Sequence, residues 1–136
     1  MRGERPAPRV VVLADDLIWA TRLVDGIRRA GGDPVPARTE AAFASALDDA
    51  DGALVDLTAR AYDGLAALDA ASRAGVPAVA VGQHDDAPLR RAAKDAGATR
   101  VYAYRALFEH GDRELGAWLG SIDREPTAPG TTEDDR

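Results

Sequence analysis

Short runs of β-branched and aliphatic residues recur along this chain, each followed by a segment of helical period. That alternation constrains the fold more than any other feature. Arg9-Val-Val-Val-Leu-Ala14 lacks the polar alternation of a half-solvated strand, so it reads as a strand buried on both faces. Leu17 to Ala30 then places Leu17, Ala20, Leu23, Val24, Ile27 and Ala30 on one helical stripe, closed by Gly31-Gly32. Asp33-Pro-Val-Pro-Ala37 reads as a short edge strand, because two prolines deny it ladder donors. Thr39 caps a helix carrying Phe43, Ala46, Leu47 and Ala50. Gly52–Leu57 is a further buried strand, followed by a helix over 63–74 with Leu65, Leu68 and Ala71 inward. Val76–Val81, a helix over 86–96, a strand over 100–104 and a helix over 107–122 complete the series, the last with Leu115, Trp118, Leu119 and Ile122 facing in.

Five strands in strict alternation with five helices predict an α/β fold: a five-stranded parallel sheet with helices on both faces, since each right-handed crossover lays its helix on a face. The domain is expected over 9–122, with residues 1–8 as an extension and 123–136 as a disordered tail without an apolar anchor. At 136 residues there is room for one domain.

Composition excludes several classes of function. A net charge of -6 argues against nucleic-acid binding through a general basic surface. No apolar run approaches the roughly 20 residues needed to span a bilayer, and Val10 to Ala14 is too short for a signal-peptide core. The absence of cysteine removes disulfides, thiolate nucleophiles and Cys-type zinc sites, leaving a cytoplasmic setting as the expectation. No Gly-rich loop follows the first strand, so neither a dinucleotide fingerprint nor a phosphate cradle is present. No Gly-x-Ser-x-Gly elbow occurs either.

In parallel α/β sheets, chemistry sits at the carboxyl ends of the strands. The first strand ends in Asp15-Asp16 and the third in Asp56. Two readings stand. The three carboxylates converge, repel one another, and are reconciled by a hard divalent cation such as Mg²⁺; or the acids cap the following helices, Asp16 in particular.

Val12-Leu13-Ala14-Asp15-Asp16, Leu54-Val55-Asp56-Leu57 and Asp63-Gly64-Leu65 together resemble the receiver domain of bacterial response regulators, over about 9–122. In that family an acidic pair ends the first strand, a phosphorylatable aspartate ends the third, and an Asp-Gly pair lies seven and eight residues beyond it, as Asp63-Gly64 does from Asp56. Gly97-Ala98 before the fifth strand is similar as well. The resemblance implies a flavodoxin-like (βα)5 receiver fold. It implies Asp56 as phosphoacceptor, Mg²⁺ held by Asp15, Asp16, Asp56 and the backbone carbonyl of Thr58, and a sensor kinase or downstream effector as partner of a monomer or weak dimer.

The departures fall on the switch. Where receivers carry a hydroxyl at the end of the fourth strand, this chain has Gly82. Where they carry lysine at the end of the fifth, an ungapped count gives Tyr104 and a one-residue shift gives Arg105; the loop proline is replaced by Arg60. The sequence therefore reads as an atypical single-domain receiver in phosphorelay signalling. The rival is a phosphorylation-independent pseudo-receiver acting through protein contacts, and a weaker third reading is a small metal-dependent phosphohydrolase. Beyond self-phosphorylation and dephosphorylation at Asp56, no enzymatic activity is expected. His84 and Trp19 both fall near the expected pocket; a local hydrogen bond for His84 and peripheral packing for Trp19 are the plainer readings. Ile18, rather than Trp19, is expected on the side of the buried stripe.

Overall fold

The computed structural model describes residues 7–83 and 85–124. Strands β1 (Arg9–Leu13), β2 (Asp33–Ala37), β3 (Gly52–Asp56), β4 (Ala78–Gly82) and β5 (Ala98–Ala103) alternate with helices α1 (Leu17–Arg29), α2 (Glu40–Leu47), α3 (Gly64–Arg73), α4 (Ala87–Asp95) and α5 (Tyr104–Arg124). All strand pairs are parallel, in the order β2-β1-β3-β4-β5. The order reverses between β1 and β3, which opens a crevice at their carboxyl ends.

The continuous apolar runs give the three central strands two buried faces, as their composition predicts. Val11, Leu13, Ala53, Val55, Ala78 and Ala80 pack beneath α2, α3 and α4, around Phe43 and Leu68. Val10, Val12, Leu54, Val79 and Val81 face the other way, toward Leu23 and Ile27 of α1 and Leu115, Trp118 and Leu119 of α5. Each of the valine, leucine, isoleucine and phenylalanine side chains among them contributes roughly 1.5–3 kcal/mol on full burial.

The prolines of β2 fall in step with the sheet. The Asp33 amide donates to the Pro8 carbonyl at 2.8 Å, so the amides of Val35 and Ala37 share its side by the two-residue period. Pro34 and Pro36 then face the free edge, where a missing N–H costs nothing and discourages further strand addition. Helix α1 closes at Gly31, whose φ of 103° is the left-handed turn that only glycine enters cheaply.

Several boundaries depart from the sequence reading. Strand β3 stops at Asp56, one residue short of Leu57, and β4 begins at Ala78 rather than Val76. Strand β5 is displaced toward the N-terminus, and α5 starts directly at Tyr104, with non-helical torsions at His110. Leu17, placed on the buried stripe by its spacing, is 59% exposed, because the first turn of α1 stands clear of the sheet. Residues 1–6, His84 and 125–136, which include most of the expected extension and tail, lie outside the described residues.

Candidate functional site at the carboxyl ends of β1 and β3

Asp56 ends β3 with 1% exposure and is the one buried charged side chain among the described residues. A carboxylate taken out of water requires donors, and Asp56 finds them on one oxygen. Its Oδ1 accepts from the Thr58 amide at 3.0 Å and from the Thr58 hydroxyl at 2.9 Å. The same oxygen accepts from the Tyr104 hydroxyl. The Thr58 and Tyr104 oxygens are themselves 2.6 Å apart. Three contacts thus share two hydroxyl protons. Tyr104 gives its proton to Asp56, and Thr58 divides its own between the carboxylate and the tyrosine. Oδ2 of Asp56 accepts no hydrogen bond among the described residues.

Burial first, and the bond to Asp56 second, hold the Tyr104 hydroxyl well above its ordinary pKa, against the opposing contribution of Thr58. Tyr104 is therefore a neutral donor across the physiological range. Arg105, the other candidate for the lysine position, points outward and pairs with Glu109 at 3.4 Å, its side chain 85% exposed. Of the two candidates, it is Tyr104 whose side chain reaches Asp56.

A second tyrosine braces the crevice from below. Tyr62, buried in the β3–α3 loop, directs its hydroxyl at the carbonyls of Asp56 (2.7 Å) and Leu13 (3.0 Å), linking the ends of β3 and β1. Burial and then the nearby Asp56 and Asp15 charges raise its pKa, so it too stays a donor. The sequence reading missed Tyr62. Its one trace there was an aromatic residue in a short loop between two acidic positions.

The remaining acids are engaged differently. Asp16 Oδ1 accepts from the amides of Ile18 (2.9 Å) and Trp19 (3.1 Å), which makes it the N-cap of α1. Asp15 is partly buried; its Oδ2 accepts from the Ala61 amide at 3.3 Å and its carbonyl from Arg38 at 3.1 Å. Asp63 caps α3, and its own amide donates to Glu40 at 2.8 Å. Among the described residues, no group of three carboxylates or imidazoles is arranged to hold a metal ion. The donor chemistry agrees with that geometry, since Asp16 is committed to a cap and Asp56 Oδ1 is ringed by protons. In this arrangement Oδ1 of Asp16 and Oδ1 of Asp56 are taken by protein donors, and a Mg²⁺ ion at Asp15, Asp16, Asp56 and Thr58 would have to compete with them.

Above Asp56 the site is roofed by aromatic rings. Trp19 lies on Tyr104 with ring centroids 4.2 Å apart and on Phe108 at 4.8 Å, the latter nearly parallel. The Arg22 guanidinium covers Phe108 at 5.0 Å and Trp19 at 5.7 Å. Ile18, expected on the side of the buried stripe, is instead 67% exposed, while Trp19 packs at the periphery over the expected pocket, in line with its plainer reading. At the far side, Gly82 offers no atom to the site. A Cβ built there would meet only Leu57, at 3.6–3.7 Å, so the position has space for a side chain.

No family model and no curated protein matches the sequence. Solved structures do match, and many are receiver domains. A two-component response regulator from Clostridium difficile superimposes with a TM-score of 0.72 at 13% identity, over 89% of this chain and 99% of that one. The beryllofluoride-activated DrrB receiver domain gives 0.71 at 13%, over 88% and 99%. A CheY-like receiver domain protein from Methanospirillum hungatei gives 0.69 at 17%, over 87% and 98%. The likeness covers the whole length of those domains at low identity, and it is a likeness of fold.

Proposed function

We propose that this chain, which has the fold of response-regulator receiver domains, is a signalling module of the two-component type that protein partners read without a phosphoryl group on Asp56. The observation that carries this reading is the ring of donors on Asp56 Oδ1, with the Tyr104 hydroxyl where receivers present a lysine ammonium. An ammonium attracts a phosphoryl group at close range. A neutral phenol bonded to the carboxylate instead satisfies the nucleophile and covers it. Gly82 adds to this, because it supplies no hydroxyl to follow a phosphoryl oxygen.

A second reading rests on a different observation. Asp56 stands at the reversal point of the strand order, and its Oδ2 accepts no hydrogen bond among the described residues. On that reading the chain accepts a phosphoryl group on Asp56 with Mg²⁺ at Asp15, Asp16, Asp56 and the Thr58 carbonyl. It requires Tyr104 to withdraw from Oδ1.

Intact mass spectrometry after incubation with acetyl phosphate and Mg²⁺ separates the two. An unmodified chain is expected. A phosphoryl adduct that is lost in Asp56→Asn overturns the first reading and establishes the second.

A further inference from the structure

We infer that Tyr104 is a positioning residue whose hydroxyl takes the place of a cation at Asp56, and that the Trp19–Phe108–Arg22 stack holds it there. The inference rests on the reading above in one respect: it explains why Asp56 is unreactive in the native chain.

A buried carboxylate needs either a cation or hydrogen-bond donors to offset its desolvation. An oxygen that already accepts several hydrogen bonds has little lone-pair density left for a metal ion, so donors and cation compete there. At Asp56 the donors have won: Oδ1 accepts from Tyr104 and twice from Thr58. The Thr58 contacts are local, two residues along the chain, and travel with Asp56 wherever it goes. Tyr104 comes from the start of α5, just past β5 and two strands away from β3, and is the contact that tertiary structure adds.

The stack fixes its position. Tyr104 and Phe108 are one turn apart on α5, and Trp19 and Arg22 one turn apart on α1, so each pair shares a helix face. Trp19 lies against both α5 rings, whose centroids are 6.5 Å apart, and Arg22 closes over Phe108. Tyr104 cannot swing from Asp56 without leaving the Trp19 face at 4.2 Å. The non-helical torsions at His110, φ -136° and ψ 23°, make the turn carrying Tyr104 and Phe108 a separate piece from the rest of α5, which is anchored in the core by Leu115 and Trp118.

The test is an Mg²⁺ titration of the full chain followed by NMR at the Thr58 amide, which bonds Asp56 Oδ1 and is present in every variant, comparing wild type with Tyr104→Phe, which keeps the ring in the stack and removes only the hydroxyl. Removing one hydrogen bond to a charged group should raise Mg²⁺ affinity by about tenfold or more, and Asp56→Asn in the Tyr104→Phe background should abolish the gain. Trp19→Ala, which loosens the stack without touching the carboxylate, should give a smaller gain in the same direction. Leu119→Ala destabilises the same face from the core and should leave affinity where it was. If Tyr104→Phe and Trp19→Ala both titrate as wild type does, the inference is overturned. Failure of the functional reading looks different: wild type itself then takes up a phosphoryl group from acetyl phosphate, whatever Tyr104→Phe does to the metal.

Discussion

The indole of Trp19 lies 4.2 Å, centroid to centroid, from the phenol ring of Tyr104, tilted by 36°. A residue in the first turn of α1 thereby covers the side chain whose hydroxyl holds the β3 carboxylate. The fold brings together a strand end, a loop threonine and two helix N-termini, and none of these contacts other than the Thr58 pair is local in sequence.

The two site tyrosines should differ in what their hydroxyls contribute to stability. Tyr104→Phe removes a bond to a charged acceptor and should cost about 1.5–3 kcal/mol. Tyr62→Phe removes a bond shared between two neutral carbonyls and should cost about 0.5–1.5 kcal/mol. Urea unfolding of both variants gives the order. A larger loss for Tyr62→Phe would place the weight of the site on the β1–β3 brace instead.

All 3 tyrosines of the chain, Tyr62, Tyr102 and Tyr104, have raised pKa values, each mainly through burial. Their neutral forms are thus favoured by folding. The stability this gives is fully present below about pH 10, the unfolded value, and is lost as pH climbs through the higher folded values. Ultraviolet titration should show tyrosinate appearing later than in free tyrosine and together with the loss of far-ultraviolet circular dichroism. Tyrosinate forming near pH 10 in a chain that keeps its native spectrum would contradict the burial of these rings.

Two strand-end glycines should respond in opposite directions. A Cβ at Gly82 meets only Leu57 at ordinary contact, so Gly82→Ala should gain about 0.5–1 kcal/mol through reduced chain entropy in the unfolded state. A Cβ at Gly52 would lie 2.8 Å from Ile122 and 3.0 Å from Trp118, and Gly52→Ala should lose about 1–3 kcal/mol through overpacking under α5. Thermal melting of the pair tests both at once.

Gly82→Thr combined with Tyr104→Lys returns a hydroxyl and an ammonium to the two altered switch positions. If those positions are what keep Asp56 inert, the double variant should become phosphorylated by acetyl phosphate where wild type does not, as read by intact mass. A double variant that folds, binds Mg²⁺ and still takes no phosphoryl group would place the block elsewhere, with Arg60 as the next residue to change.

The sequence by itself determined the sheet, because strands buried on both faces must be apolar at every position, and runs such as Val10–Leu13 and Ala53–Val55 have no other stable use. It determined the helix starts at Asp16, Thr39, Asp63 and Asp86, since a side chain that caps acts within three residues of itself. It also placed Asp15, Asp16 and Asp56 at adjoining strand ends. The tertiary structure alone decided what those acids bond to. Whether Tyr104 or Arg105 reaches Asp56 depends on where α5 begins relative to β5 and on how α1 packs against it. A shift of one residue there turns a different side chain toward the crevice. The partners of Asp56 span 46 positions from Thr58 to Tyr104, and no local pattern encodes a contact made across the sheet.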